Sequence, residues 1–437
     1  MAREGQAAAG RALAGPAAAE AALAAWPAPK AGFTAAARAE AEARLRVAGL
    51  PGRRDEYWRF TDPAPLLTPE PAASAPLRVD RPIFEGFDKL RLVFVDGVFD
   101  AAASDDPALA GVEIARLAEA GAADIHWARG LYGVLEAAGQ SPVARPFAAL
   151  NTARAADGLL IRVSGVAPRP LHISYRQSDP GSEAMLHHCI RLEPGAEMTL
   201  IETGTAAARA NLVMEVDLGE GARLHHIRPQ GRAHGRRVIS HLFARLGAAA
   251  RLKSFTLSMN GAFTRNEAVI DIAGDHAVAH VAGATLGDGA DGRFVHDDTV
   301  FVSHGAVGCE SRQVFKKVLK NGATGVFQGK ILVRPGAQKT DGYQISQALL
   351  LDEDSQFLAK PELEIYADDV KCSHGSTTGA IDETALFYLR SRGVTRAQAV
   401  SLLVLSFLAD AIAEIEDAAL AAEVVARLED WLARREA

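Results

Sequence analysis

An internal repeat constrains the fold of this chain more than any other feature of its sequence. Between residues 158 and 379, short alternating apolar runs recur, each followed by a turn and another alternating run. Their turn glycines are 26, 26, 27, 31 and 31 residues apart (Gly195, Gly221, Gly247, Gly274, Gly305 and Gly336). A near-constant period indicates stacked units that cannot bury their apolar faces alone, and the alternation indicates β-strands. The pattern therefore predicts a mainly β chain with a parallel β-helix at its centre, with one or two turns of coil per step. The alternative is a large antiparallel sandwich, which rarely keeps five near-equal steps.

The segments before the repeat are first helical and then irregular. Residues 17–50 are rich in Ala, Glu, Arg and Leu, and Pro27 and Pro29 divide them into two short helices. The second helix is predicted over about 34–48, with Thr34 as its N-cap. An aromatic cluster over 55–61 and an extended Pro-rich connection over 63–82 follow. Beyond them we predict a short strand with a turn over 90–97 and an irregular helical segment over 109–150.

Three helices are predicted after residue 379. Asp382 caps the first, which ends at Gly393, and Thr395 caps the second, over 396–415. The third runs over about 418–435. Apolar residues of the second helix cover more than one narrow stripe, so this helix is either central to a small bundle or keeps a face for a partner. We therefore expect four regions along the chain: N-terminal helices and linker (1–82), a mixed part (83–157), the β-helix core (158–380) and a C-terminal helical domain (381–437).

Composition and charge exclude several classes of protein. Lys and Arg number 47 against 54 for Asp and Glu, so the net charge is −7 and nothing in it favours nucleic acid or an anionic membrane. No apolar run of about 18 residues occurs, and the Ala-rich N-terminus lacks the profile of a signal or transit peptide. The three cysteines are far apart and outside any CxxC motif, which is typical of a reducing compartment. We expect a cytoplasmic protein.

Sequence motifs of common enzymes are absent. The chain contains no GxxxxGK[ST] loop, no GxGxxG between a strand and a helix, no GxSxG and no HExxH. It is therefore not expected to be an ATPase, and the commonest hydrolase and zinc-peptidase assignments lose their usual support. Its 13 histidines raise a metal hypothesis. However, the neighbours His187 and His188, like His225 and His226, point to opposite faces of a strand, so at most one of each pair faces a given site. We interpret all the histidines except one as structural.

The exception is His374, in the run Lys371-Cys-Ser-His-Gly. Cys372 and His374 are two residues apart, so on a strand both side chains project from the same face. A thiolate and an imidazole suit iron, zinc or copper, and Lys371 could lower the thiol pKa, although alternation turns it to the other face. Two ligands are too few for a closed site, so others must come from elsewhere in the fold, from solvent or from another chain. From these residues alone, a half-buried cysteine and a surface histidine at a turn explain the run equally well.

The same run carries a resemblance to a known family. The segment 360–375 (Lys-Pro-Glu-Leu-Glu-Ile-Tyr-Ala-Asp-Asp-Val-Lys-Cys-Ser-His-Gly) and the segment 382–393 resemble the SufB/SufD family of iron–sulfur cluster assembly proteins. The shorter stretches 311–316, 327–331 and 336–341, with the aromatic stretch 55–61, are similar to other parts of that family. The resemblance covers residues 50 to 420. Within the family, the small number of cysteines and the intact 371–375 run favour the SufD branch over the SufB branch.

This resemblance implies a fold and a role for the chain. The implied fold is a right-handed parallel β-helix between N-terminal and C-terminal helical regions, and the implied role is a scaffold rather than an enzyme. The implied partners are a SufB paralogue, bound through the β-helix, and a SufC ATPase, bound through the C-terminal helices. His374 would belong to a nascent iron–sulfur cluster site at the heterodimer interface, with Cys372 as an additional ligand. Reduced flavin is associated with such complexes, although no flavin-binding residue is identified here, and whether the isolated chain forms a homodimer stays open.

Two other functions are compatible with a β-helix. A polysaccharide lyase or hydrolase would need clustered carboxylates on one face, whereas Asp297 and Asp298, like Asp368 and Asp369, are adjacent and face opposite ways. Four Trp and six Tyr also offer few platforms for sugar stacking. A self-sufficient structural solenoid would instead form a stable homo-oligomer and bind no ATPase.

Overall fold

The computed structural model describes residues 14–29, 32–75, 82–109, 111–231, 233–290 and 292–434. Three sequence predictions extend beyond those ranges. They concern the first 13 residues of the N-terminal region, residues 76–81 of the Pro-rich connection, and residue 435 at the end of the last helix.

Strands dominate the described chain and form two sheets. In chain order they are β1 (Leu90–Val95), β2 (Val98–Phe99), β3 (Val112–Arg116), β4 (Leu159–Val163), β5 (Leu171–Arg176), β6 (Glu183–Leu192), β7 (Glu197–Gly204), β8 (Arg209–Leu218), β9 (Arg223–Pro229), β10 (Arg237–Leu246), β11 (Arg251–Met259), β12 (Phe263–Ile272), β13 (Val278–Asp288), β14 (Val295–His304), β15 (Glu310–Lys320), β16 (Thr324–Val333), β17 (Asp341–Leu350), β18 (Gln356–Ile365) and β19 (Lys371–Gly379). The ten-stranded sheet has the order β19-β17-β15-β13-β11-β9-β7-β5-β1-β2, and the nine-stranded sheet has the order β18-β16-β14-β12-β10-β8-β6-β4-β3.

The strand order is that of a parallel β-solenoid. From β4 onward, successive strands alternate between the two sheets, and each pairs in parallel with the strand two places away in the chain. In β10, for example, every residue has a partner in both β8 and β12. One turn of coil therefore consists of two strands, and each step of the sequence repeat is one turn. The predicted parallel β-helix is confirmed, and the antiparallel sandwich is wrong.

The six repeat glycines occupy the same corner of successive coils. Each follows a strand of the nine-stranded sheet, from β6 to β16. Gly195 has φ 71°, a left-handed conformation that glycine adopts without steric cost. Gly274 is needed for a different reason, because a Cβ there would lie 2.0 Å from the backbone nitrogen of Ala248 in the preceding coil. Glycine thus serves both the turn and the close stacking of coils.

The helices cover the outer faces of both sheets. They are α1 (Pro16–Ala25), α2 (Ala35–Ala48), α3 (Leu117–Ala120), α4 (Val134–Ala138), α5 (Pro146–Arg154), α6 (Glu383–Arg390), α7 (Arg396–Ile412) and α8 (Ala418–Arg434). On the nine-stranded sheet, α1, α2, α4 and α5 with the stretch 55–66 form an N-terminal layer, in which Leu45 and Phe147 pack with Ile239 of β10. On the ten-stranded sheet, Val404 and Leu408 of α7 are fully buried in a cluster with residues of β11, β13 and β15. No helix in the described ranges is long and apolar enough to cross a membrane.

The predicted helix caps are confirmed in the C-terminal domain but not at Thr34. Asp382 accepts hydrogen bonds from two backbone N–H groups at the start of α6, and Thr395 forms a capping box with Gln398 at the start of α7. Thr34 precedes α2 as expected, but its hydroxyl donates to the carbonyl of Gly121 (3.5 Å) instead of capping the helix.

The segment predicted as irregular helix over 109–150 also contains a strand. β3 pairs with β4 in antiparallel register, with Val112 opposite Val163, and only then do α3, a 3₁₀ turn, α4 and α5 follow. The prediction missed this strand because the alternation of apolar and polar residues is only five residues long there. β3 forms the edge of the nine-stranded sheet at the start of the solenoid.

Candidate functional site

The last coil of the solenoid, formed by β18 and β19, is open on its outer side. Each of these two strands is the end strand of its sheet and pairs with one neighbour only. Their residues are half-buried or exposed, whereas strands in the middle of the stack are almost entirely buried. An unpaired strand edge presents free backbone N–H and C=O groups, which are a template for pairing with another chain. This open end carries the two residues singled out in the sequence.

Cys372 and His374 lie on β19 and share one face of that strand. They pair in register with Gly342 and Gln344 of β17, whose positions are buried towards the interior of the solenoid. Gly342 leaves room for the thiol, because a Cβ at that position would lie 3.2 Å from the Cys372 sulfur. Two residues further along β19, Ser376 hydrogen-bonds Ser346 of β17 (3.1 Å) on the same face.

The two side chains have different surroundings. The Cys372 sulfur is half-buried against a small apolar cluster that includes Ile331 and Val333. Burial raises the pKa of Cys372, and the charge of Asp341 adds to this effect. The suggestion that Lys371 lowers this pKa is therefore wrong, because that lysine points to the opposite face. His374 is exposed, and in the part of the chain that the structure describes its imidazole has no hydrogen-bond partner.

This pair of groups is suited to metal chemistry but incomplete. One sulfur and one imidazole nitrogen are ligands that iron accepts, and both lie on the open coil rather than in the closed interior. A full shell requires about four ligands. Iron bound here would therefore complete its coordination with groups from solvent or from another chain that contacts the open end.

The aromatic stretch at 55–61 packs next to the same open coil. Tyr57 donates a hydrogen bond from its hydroxyl to Glu362 of β18 (2.7 Å), and the Lys360 ammonium lies 4.0 Å from the centre of the Tyr57 ring. Its neighbour Trp58 is buried, with the Arg265 guanidinium 4.1 Å from the ring centre. The N-terminal layer is thus anchored directly on the last coils, which the sequence did not predict.

The adjacent histidine pairs split between two environments, as strand alternation predicted. His188 and His226 face the solenoid interior, where Tyr175 hydrogen-bonds both His188 (3.0 Å) and Glu202 (2.7 Å). Burial alone would raise the pKa of Glu202, but its hydrogen bond to His226 and the positive charges around it lower that pKa to about 2. These interior histidines therefore act as buried polar rungs.

The outward histidine of the β6 pair, His187, belongs to a cluster that sequence reasoning did not assemble. His187, Cys189 and Glu215 place one ligand atom each within 4.8 Å of one another. Glu215 already accepts hydrogen bonds from His187 (2.8 Å) and from the backbone N–H groups of Leu135 (2.7 Å) and Glu136 (3.0 Å) at the start of α4. The carboxylate is thereby satisfied, so we interpret this cluster as the anchor of α4 on the sheet.

The carboxylates considered for polysaccharide chemistry do not act together. Asp297 bonds Arg265 (2.6 Å) on the outer face of the nine-stranded sheet, whereas Asp298 bonds Lys317 (2.5 Å) in the interior. Asp368 and Asp369 lie exposed in the loop between β18 and β19. These contacts give no pair of carboxylates arranged for acid–base catalysis.

The C-terminal helices leave large apolar side chains in solvent. Phe387 and Tyr388 of α6 are 74% and 55% exposed, and Leu402 of α7 is 51% exposed. The opposite face of α7 is the one buried on the ten-stranded sheet. These exposures fit the interpretation that the helix keeps one face for a partner. Exposed apolar groups of this size are typical of docking surfaces.

Comparison with known proteins gives a consistent result over most of the chain. The family model described as "SUF system FeS cluster assembly, SufBD core domain" matches residues 175–407. The chain is 30% identical over 401 residues to the iron–sulfur cluster assembly protein SufD of Escherichia coli (strain K12), covering 88% of this chain and 90% of that protein. It is 28% identical over 397 residues to an iron–sulfur cluster assembly SufBD family protein of Synechocystis, covering 85% of each.

Proposed function

The chain belongs to the SufB/SufD family of iron–sulfur cluster assembly proteins, and on that premise we propose that it is a non-catalytic scaffold subunit of the SufD type. It pairs with a SufB paralogue and contributes His374 and Cys372 to the site where an iron–sulfur cluster is built as cargo. The observation that carries this proposal is that both groups lie on one face of β19, at the open end of the solenoid.

The open coil supports pairing through the β-helix. β18 and β19 offer two free strand edges, and β18 presents Phe357 and Leu363 towards the gap between the sheets. A second solenoid of the same width can continue both sheets and cover these apolar residues. The partner then lies beside Cys372 and His374 and can supply the missing ligands.

We also propose that the exposed residues of α6 and α7 bind the SufC ATPase. Phe387, Tyr388 and Leu402 give this surface its apolar character, and aromatic anchors of this kind dominate binding energy at interfaces. No nucleotide-binding loop occurs in the sequence, so ATP hydrolysis would belong to the partner.

The cluster site is tested with His374→Ala and Cys372→Ser in the complex co-expressed with SufB and SufC. We expect His374→Ala to lower iron and acid-labile sulfide per complex several-fold, because the imidazole is a ligand that no other described side chain replaces. Cys372→Ser should have an equal or smaller effect. Assembly and basal ATP hydrolysis should be unchanged, since an exposed histidine contributes little to folding. The complexes are purified without oxygen and assayed beside wild type.

The matched control is His276→Ala, which removes another exposed histidine at a solenoid corner. Its cluster content should equal that of wild type. Wild-type cluster content in His374→Ala would contradict the site and return the 371–375 run to a structural role.

The docking surface is better tested with point variants than by deleting residues 395–437. Deletion would remove α7 and α8 and expose the apolar outer face of the ten-stranded sheet, which includes Phe255 and Leu257. We expect Phe387→Ser to weaken capture of SufC at least about tenfold, as is typical for an aromatic anchor. Ile125→Ser is the control, because Ile125 is 90% exposed on the N-terminal part of the chain. Equal capture by wild type and Phe387→Ser would contradict this assignment.

Recovery of both a SufB paralogue and a SufC ATPase in a pull-down of the co-expressed chain would support the scaffold role. A catalytic β-helix predicts neither partner and predicts turnover of polyuronides instead. Association with reduced flavin, homodimer formation by the isolated chain and a cytoplasmic location stay predictions.

A further inference from the structure

A pocket lies between the outer face of the ten-stranded sheet and α8, away from the open coil. Its described lining comes from the segment before β1, from β1, β5 and β7, from the ends of β9 and β11 and the residues after β9, and from Arg427 of α8. The pocket encloses about 650 Å³, which is within the usual range of small-molecule sites. The function proposed above does not use it.

The lining of this pocket is strongly basic. Four cationic side chains, Lys89, Arg91, Arg176 and Arg427, line it against one carboxylate among the described lining residues, Glu85. The chain as a whole has a net charge of −7, so this surface opposes the overall charge. A concave surface with one sign of charge concentrates ligands of the opposite sign.

The pocket is built on rigid strands. Arg91 of β1 lies directly opposite His172 of β5, and Ser174 and Arg176 follow His172 on the same face. Thr203 of β7 lies opposite Ser174, so it projects from the same face of the sheet. Two guanidinium groups, an imidazole and two hydroxyls therefore project from one patch of sheet. Guanidinium groups match the geometry of phosphate oxygens and can bind two of them at once.

His172 is the most informative member of this patch. It is only 4% exposed, its Nε2 is 2.7 Å from the Thr203 hydroxyl, and its Nδ1 has no hydrogen-bond partner in the described chain. The Nε of Arg91 is likewise buried without a partner. Burial, with the charges of Lys89 and Arg91, lowers the pKa of His172 to about 3, so the ring is neutral. Buried polar atoms need a hydrogen-bond partner, and for these two atoms it is water or a ligand rather than a described protein group.

Lys89 contributes charge but is less available as a donor. Its ammonium lies near three backbone carbonyls of the preceding turn, those of Phe84 (2.5 Å), Phe87 (3.2 Å) and Glu85 (3.4 Å). It therefore fixes the wall of the pocket and adds to the positive field. The groups that donate hydrogen bonds directly to a ligand therefore come from the strands.

We propose that this pocket binds the phosphate group of a small molecule, with Arg91 and Arg176 as its donors and the neutral, buried His172 at its base. The source of the group is either free inorganic phosphate or a phosphate ester whose organic part occupies the rest of the volume. The proposal is independent of the cluster site, because the pocket shares no residue with β18 or β19.

The test titrates the full chain with inorganic phosphate and, separately, with a nucleoside monophosphate, by calorimetry at constant ionic strength. We expect saturable binding that weakens about tenfold in Arg91→Gln and in Arg176→Gln, the loss of one charge-assisted contact. Equal affinity for the two probes identifies free phosphate, and tighter binding of the monophosphate identifies an ester. Because Arg176 is exposed, its variant stays informative even if Arg91→Gln impairs folding.

The control is Arg334→Gln, which removes the same charge at a distant solenoid corner where Arg334 pairs with Asp271 (2.9 Å). Its affinity should change by less than about twofold. As a second readout, bound phosphate should shift the imidazole resonances of His172 but not those of the exposed His276. Absence of saturable binding for both probes, or an equal loss in Arg334→Gln, would overturn the proposal.

Discussion

The three cysteines illustrate how much one residue's surroundings decide about its chemistry. Cys189 is fully buried beneath the N-terminal layer, and Cys309 is 1% exposed, with its sulfur 3.3 Å from the carbonyl of Gly274. Cys372 is the one that reaches the solenoid end. Burial raises the thiol pKa in each of them. Only the position on an open strand distinguishes the proposed ligand from the two structural residues.

We expect iodoacetamide to modify Cys372 first in the folded chain, because Cys189 and Cys309 are inaccessible. The reaction should be slow at pH 7 and should still accelerate above pH 9, since the raised pKa keeps the thiol protonated. Peptide mass spectrometry after timed alkylation between pH 7 and 10 measures this. In urea all three cysteines should react alike, and faster labelling of Cys372 than of an unfolded thiol at pH 7 would contradict the account.

At the scale of elements, the solenoid corners use glycine in two different ways. Gly221 has φ 67° and open space where a Cβ would stand. Ala249 and His276 adopt similar positive φ values, 53° and 60°, at the corners after β10 and β12, so the turn tolerates a side chain at moderate cost. Gly274 is limited instead by the backbone of the coil beneath it.

These two roles predict different mutational costs. Gly221→Ala should lower the free energy of unfolding by about 1 kcal/mol, and Gly221→Asn by less, because asparagine tolerates the left-handed region. Gly274→Ala should cost more, about 2 kcal/mol or above, because a Cβ would force two coils apart. Urea unfolding of the three variants measures these differences. Equal losses of unfolding free energy for Gly221→Ala and Gly274→Ala would show that the close stacking of coils does not require glycine at position 274.

For the whole molecule, charged and polar groups are buried both between the two sheets and beneath the helices that cover them. His188 and His241 are buried without charge, and burial lowers the pKa of each to about 4. Glu267 is buried against Arg265 and Arg145; burial opposes ionisation, but these arginines lower its pKa to about 2. The stability of the fold therefore depends on whether these groups keep their protonation states.

Stability should therefore fall as the pH drops from 6.5 towards 4. In this window the unfolded chain protonates histidines that the folded chain keeps neutral, so each fully buried one costs about 1.4 kcal/mol per pH unit. The carboxylates with lowered pKa contribute their full stabilisation above about pH 4.5, and this stabilisation is lost only below that pH. They therefore do not explain a loss of stability between pH 6.5 and 4.5. Urea midpoints at pH 7.5, 6.5 and 5.5 measure the effect, and His241→Asn should reduce the slope. A flat profile over this range would contradict the buried neutral state.

The sequence by itself determined the repeating strands of the solenoid and the helices that flank it. The glycine period predicted the coil, because each unit must repeat its corner to stack on the one before it. The caps at Asp382 and Thr395 predicted where α6 and α7 begin, because a cap acts on the first turn of its own helix. It also placed Cys372 and His374 on one face, since strand alternation is a local property. The strand at β3 was missed because its alternating pattern is too short to distinguish from its irregular surroundings.

Only the tertiary structure decided what surrounds those elements. Tyr57 meets Glu362 across 305 positions of sequence, and Glu215 meets the start of α4 about 80 positions before it. Arg91 comes to lie opposite His172 because β1 pairs on one side with its neighbour in the chain, β2, and on the other side with the distant strand β5. Such contacts depend on the register of the coils and on which sheet face each helix covers. Those are set by the packing of the whole molecule, so no local pattern in the sequence contains them.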